Sequence, residues 1–234
     1  MPSSAPISLQ SIAGRSVAVI GGGPSGLMAA ELLAGAGAEV DVYESMPTVG
    51  RKFLRAGLGG LNITHSEPYE AFCSRYGDRR ADLQSVLDLF PPDALCAWVH
   101  DLGIETFVGS SGRVFPKEMK AAPLLRSWIH RIRNKGVRIN TRHSLVRVNS
   151  DNSITLKNAD TEFSTSPDAV ILALGGASWP QLGTVSIMWR LRLARCSGSM
   201  MCATAGHLAQ RPAGASMRLR SLNVRTITTC SASA

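Results

Sequence analysis

The sequence lacks several features that would place it in other classes of protein. It has no apolar run long enough to cross a bilayer, so a helical membrane span and a membrane partner are not expected. Met1–Arg15 holds Ser and Pro but no apolar h-region. It does not read as a secretory signal, and a flexible leader over residues 1–15 is expected instead. Cysteine is scarce, five in 234 residues, and no two form a C-x-x-C pair. That removes the usual zinc and dithiol signatures, so no metal is expected, and it points to a reducing, cytoplasmic setting.

Acids are absent from one part of the chain. All 17 Asp and Glu precede Thr184, where they face 18 of the 25 Lys and Arg. The last 51 residues hold seven Arg and neither Lys nor acid. The formal net charge of +8 therefore belongs almost entirely to this tail, and the body carries no signal for nucleic-acid binding. Residues 184–234 also show no period of 3.6 or 2, yet hold three of the five cysteines. A basic tail of non-native or frame-shifted sequence is the expectation there, with residues 16–183 as the N-terminal part of the domain.

What is present is concentrated between Val17 and Glu44. Val17, Ala18, Val19 and Ile20 make the short apolar run of a buried parallel strand. Gly21, Gly23 and Gly26 follow with G-x-G-x-x-G spacing. Leu27–Ala36, rich in Ala and Leu, reads as a helix that Gly37 stops. Val40, Val42 and Tyr43 form a second strand ending at Glu44. Gly21 allows the tight turn, Gly23 lets a pyrophosphate approach the backbone, and Gly26 brings helix and strand together. The amides of the helix's first turn receive the phosphates, with Pro24 and Ser25 inside that turn. Glu44, about 20 residues beyond the first glycine, is placed to accept from ribose hydroxyls.

A second glycine-rich stretch, Gly50–His65, reads as a loop. It holds Arg51, Lys52 and Arg55 among four glycines, a composition that brings amides and positive charge to an anion. Gly50-Arg-Lys-Phe-Leu54 followed by Gly59-Gly-Leu-Asn-Ile-Thr-His65 closely resembles the GRKFL…GGxNxTH block of the YhiN/BaiN-like flavoproteins, also known as NAD(P)/FAD-dependent oxidoreductases or the aminoacetone oxidase family. Ser111–Pro116 and Gly175-Gly-Ala-Ser-Trp-Pro180 are similar to further motifs of that family, although Leu174 stands where Thr is more frequent.

The resemblance implies an α/β fold: a Rossmann-like FAD-binding domain of glutathione-reductase type, incomplete here, with a parallel sheet, helices and a β-meander. It assigns Arg51, Lys52, Gly59, Gly60, Asn62, Thr64, Gly175 and Gly176 to FAD beside Gly21, Gly23, Pro24, Ser25, Gly26 and Glu44. It implies an FAD-dependent oxidoreductase acting on a small molecule, with a reduced nicotinamide as candidate reductant. Because family members finish the flavin site nearer their C-terminus, this chain reads as truncated and inactive. An NAD-dependent dehydrogenase and a non-catalytic dinucleotide-binding remnant or adaptor are the alternatives. No catalytic acid or base is identified; none of the five histidines pairs with an acid at catalytic spacing, and His65 is read as incidental.

The remaining chain alternates in kind. Glu67–Tyr76 and Ala81–Phe90 read as helices, the second burying Val86, Leu87, Leu89 and Phe90. Ala94–Leu102 is a helix after Pro91-Pro92-Asp93, and Ile104–Val108 and Arg113–Pro116 are extended. Ala122–Lys135 is a helix whose apolar stripe includes Trp128, read as core, with its arginines on a solvated face. Val137–Asn140, Ser144–Asn149, Ser153–Lys157 and Thr161–Ser164 read as one meander, and Ala169–Leu174 as a strand returning to the central sheet.

Overall fold

The computed structural model describes residues 12–149, 151, 153–175 and 200–202. The chain runs β1 (Ser16–Ile20), α1 (Pro24–Gly35), β2 (Glu39–Glu44), α2 (Arg51–Ala56), β3 (Thr64–His65), α3 (Tyr69–Ser74), α4 (Arg80–Leu89) and α5 (Pro92–Asp101). It continues with β4 (Thr106–Val108), β5 (Arg113–Pro116), α6 (Ala121–Asn134), β6 (Arg138–Thr141) and β7 (His143–Val148). Then come β8 (Ile154–Asn158), β9 (Thr161–Thr165), β10 (Ala169–Leu172) and β11 (Met200–Cys202). Two compact units result: Met1–Arg51 with Ile132–Ala234, and Lys52–Arg131.

The first unit is built on a parallel five-stranded sheet in the order β11-β10-β1-β2-β6. Its central strand β1 is an unbroken apolar run because both of its faces are covered. Ala18 and Ile20 share one face by strand alternation. They join Tyr43, Val170 and Leu172 in a core with Leu145, Val148, Ile154 and Leu156 of the antiparallel sheet β7-β8-β9. Val19 and Val42, fully buried, face the other way, where α1 packs. The start of β10 is fastened to the start of β1 by Asp168, whose carboxylate accepts from the Ser16 amide and hydroxyl, both at 2.8 Å. This is a Rossmann-like α/β fold with an antiparallel meander.

Four sequence expectations change. The first helix begins at Pro24, three residues early, because Pro at the first helical position costs no hydrogen bond. The Gly50–His65 loop contains α2 and β3, since Arg51–Ala56 has helix-forming residues between glycines. Residues 138–141 do not join the meander but pair in parallel with β2, where Arg138 binds Asp41. The helix α4 buries none of its residues: Val86 and Leu89 are exposed, as is Phe90 just beyond it. Its apolar spacing was legible, but the covering element that the spacing implied is absent from the described residues.

In the second unit β3, β5 and β4 form an antiparallel sheet beside α3, α4 and α5. Tyr69 donates to Asp88 at 2.6 Å and ties α3 to α4. Trp128 on α6 is core, 2% exposed, and packs edge-on against Trp98 with ring centroids 4.9 Å apart. Of the α6 arginines expected on a solvated face, Arg126 and Arg133 are exposed, while Arg131 lies over the Trp98 ring. Among the described residues no helix is long and apolar enough to cross a membrane, and no cluster of His, Cys, Asp or Glu could hold a metal ion.

Candidate dinucleotide-binding site

The glycine loop between β1 and α1 is held in place by its own backbone. Gly21 has φ +113, a conformation that L side chains rarely adopt, and its amide donates to the Tyr43 carbonyl at 2.8 Å. A Cβ at Gly26 would overlap the Gly21 carbonyl oxygen. Both glycines also crowd Ala173, just beyond β10, whose amide donates to Ile20 at 2.8 Å. The loop therefore sits at the C-terminal ends of β1, β2 and β10, where ligands bind in open parallel sheets.

Gly23 differs from its neighbours. A Cβ there would meet nothing within 4 Å, and its φ of −80 is ordinary. No atom of the described residues requires a glycine there, so the space in front of it is available to a ligand. Gly23 is also the N-cap of α1, and no side chain caps that end. Leu27 makes the bond back to the Gly23 carbonyl at 2.9 Å. The Ser25 and Gly26 amides lack partners within the helix by geometry, and Pro24 has no amide to satisfy. An uncapped helix end with no acid in its first turn fits a pyrophosphate.

Glu44 closes the other side of the loop. Its Oε2 accepts from the Gly22 amide at 2.8 Å; its Oε1 accepts from the Met46 amide at 2.9 Å and the Ser45 hydroxyl at 3.2 Å. A carboxylate has about four acceptor sites, so Oε2 keeps capacity for a ribose hydroxyl. The sequence reading gave Glu44 only a ligand role; the structure adds a clamp on the loop. Gly22 went unassigned, although three consecutive glycines were visible. Its carbonyl accepts from the Gly50 amide at 2.8 Å, and a Cβ on it would overlap Val49. Gly50 thus delivers Arg51 directly from a residue bonded to the glycine loop. The Arg51 Nε is buried with no hydrogen-bond partner among the described residues.

The other predicted residues are placed as follows. Gly175 is exposed with φ +72, and Leu174 packs against the sheet-meander core, which explains an apolar residue there. Gly176 lies outside the described residues. In the second unit, burial lowers the pKa of Lys52 below the ordinary lysine value. Gly59 is exposed. Gly60 has φ +114 and lies against Met119, whose own φ is +61. Oriented by its hydrogen-bond network, the Asn62 amide donates to the Thr64 carbonyl at 2.8 Å and the Val114 carbonyl at 3.3 Å. Asn62 therefore fastens its own segment to β5, and Thr64 is buried in β3. His65 accepts from the Glu67 amide through Nδ1 at 3.2 Å, and its Nε2 lies 2.9 Å from the Ser111 carbonyl. A carbonyl only accepts, so Nε2 carries the proton and both ring nitrogens are engaged, as a structural histidine requires.

The family model for the HI0933-like protein Rossmann domain matches residues 15–212, past residue 183, where family-like sequence was expected to end. Among solved structures, THI4 of Thermovibrio ammonificans is 19% identical with a TM-score of 0.46, over 78% of this chain and 64% of that one. A 3-ketosteroid-delta4-(5alpha)-dehydrogenase from Rhodococcus jostii RHA1 is 15% identical with a TM-score of 0.49, over 70% of this chain and 46% of that one. An oxidoreductase from Methanosarcina mazei is 16% identical with a TM-score of 0.38, over 68% and 59%. The chain thus covers less than two thirds of the length of each of the three. The match over residues 15–212 places the chain in the HI0933-like Rossmann-domain family, a family of FAD-binding oxidoreductases.

Proposed function

We propose that this protein is a flavoprotein oxidoreductase that holds FAD by its ADP half at the loop Gly21–Gly26. One observation carries the reading: Gly23 faces open space at the uncapped N-terminus of α1, beside a Glu44 with spare acceptor capacity. The Ser25 and Gly26 amides bind the pyrophosphate, and Glu44 orients the ribose. Arg51 supplies a positive charge one residue from the Gly50–Gly22 bond. FAD, when bound, supplies the two-electron chemistry, and the protein supplies binding and orientation. The GRKFL…GGxNxTH block supports the finer placement among YhiN/BaiN-like flavoproteins; a small-molecule substrate, with a reduced nicotinamide as candidate electron donor, belongs to the same proposal.

The test is to purify the full chain, release its ligand by heat, and identify it by mass spectrometry. FAD, with flavin absorbance that bleaches on reduction, is the expected result. Retention of NAD(P) without flavin would replace this reading with a nicotinamide-dependent dehydrogenase.

A further inference from the structure

The second unit contains a cavity of about 470 Å³, whose lining includes Asn62 and Thr64 of the GGxNxTH block. Its size falls in the range of about 300–1,000 Å³ typical of small-molecule sites. We propose that this cavity binds a small carboxylate with a flat apolar body, held at one end by Arg113.

The walls supply the apolar half. Phe72 of α3, Leu87 of α4, Phe90 just beyond α4, and Leu95 of α5 line it. Part of this wall is open to water: Phe90 is 41% exposed. A bound apolar body would remove part of that surface from water.

The opposite side sets the charge of the ligand. Among the described residues Glu67 is the only acid in the lining, and Arg75 donates to its Oε2 at 2.8 Å, so those two charges cancel. His65 has both ring nitrogens engaged, with the Glu67 amide and the Ser111 carbonyl, and is not free to meet a ligand. The guanidinium of Arg113, which stands opposite His65 across β3 and β5, makes no hydrogen bond or ion pair with the described residues. One uncompensated guanidinium remains. Its planar fork offers two parallel N–H donors to a carboxylate. A monoanion balances it, whereas a phosphate dianion would leave one charge uncompensated against apolar walls.

The proposal stands whether or not the first unit holds FAD. It is tested by calorimetric titration of the full chain with 2-naphthoate and with 2-naphthamide, its uncharged counterpart. Naphthoate is expected to bind roughly tenfold or more tightly than naphthamide, the scale of a charge-assisted bidentate pair. Arg113→Gln, at an exposed position and folded by circular dichroism, should abolish that difference. Phe90→Ala should weaken both probes. Equal binding of the two probes, binding of neither, or a preference surviving Arg113→Gln would overturn the proposal. So would naphthoate binding only to flavin-free protein, which would assign the cavity to the flavin.

Discussion

The Glu44 carboxylate holds the Gly22 amide at 2.8 Å, so the residue that ends β2 also sets the shape of the glycine loop. Removing it affects fold and ligand together. Glu44→Ala leaves the Gly22 and Met46 amides without their acceptor, and each partly buried donor so orphaned costs about 1–3 kcal/mol. Urea unfolding of the ligand-free protein should show that loss, and a flavin titration should show weaker FAD binding by about 1–3 kcal/mol. A variant with weakened FAD but unchanged unfolding would mean that Glu44 acts on the ligand alone.

Gly23 and Gly26 separate the two roles. A Cβ at Gly23 meets open space, so Gly23→Ala should leave stability within about 0.5 kcal/mol of wild type while sharply reducing FAD retention. Gly23→Val, filling more of the same space, should abolish FAD binding. A Cβ at Gly26 overlaps the Gly21 carbonyl, so Gly26→Ala should destabilise by several kcal/mol, on the order of an overpacked core. Thermal melts beside bound-flavin ratios would check both. A Gly23→Ala protein with full flavin content would remove the pyrophosphate from this loop.

The βαβ unit was readable because its signals are local. Apolar runs, glycine spacing and a terminal acid all fall within Val17–Glu44, and the structure builds β1, α1 and β2 from them. Trp128 was readable for the same reason, since helical spacing alone put it in the core. What depended on partners distant in sequence was not readable. The parallel pairing of β6 with β2 joins residues nearly a hundred apart, and its short strand looked like a fourth meander strand. The Asp168 clamp on Ser16 spans the whole domain and leaves no local trace. The exposed face of α4 shows the reverse error, a periodicity that promised burial without a covering partner.

That contrast predicts unequal responses to truncation. Trp128→Ala empties a site that is 2% exposed and should cost about 3–5 kcal/mol. Leu89→Ala, at 84% exposed, should change stability by less than about 0.5 kcal/mol. Paired urea titrations would compare them directly. A large loss at Leu89 would show that another part of the protein covers α4 in solution.

The β2–β6 edge should carry an acid-sensitive share of stability. Arg138 grips both oxygens of Asp41, at 2.7 and 2.6 Å, and Asn140 donates to the same carboxylate at 3.2 Å. These bonds hold the Asp41 pKa below the usual carboxylate value, with the Arg138 hydrogen bond outweighing the opposing effect of burial. A depressed folded pKa stabilises the fold fully above the unfolded value, about 3.9, and the gain disappears as pH falls through the folded value. Asp41→Asn cannot titrate and keeps no charge for Arg138. Wild type should therefore exceed Asp41→Asn in stability by a constant amount from about pH 6 to 8, and the gap should close below about pH 4. Urea titrations of both proteins across that range would measure the gap. A difference that stays flat down to about pH 2 would show that the pair joins the strands by shape, with no net electrostatic contribution.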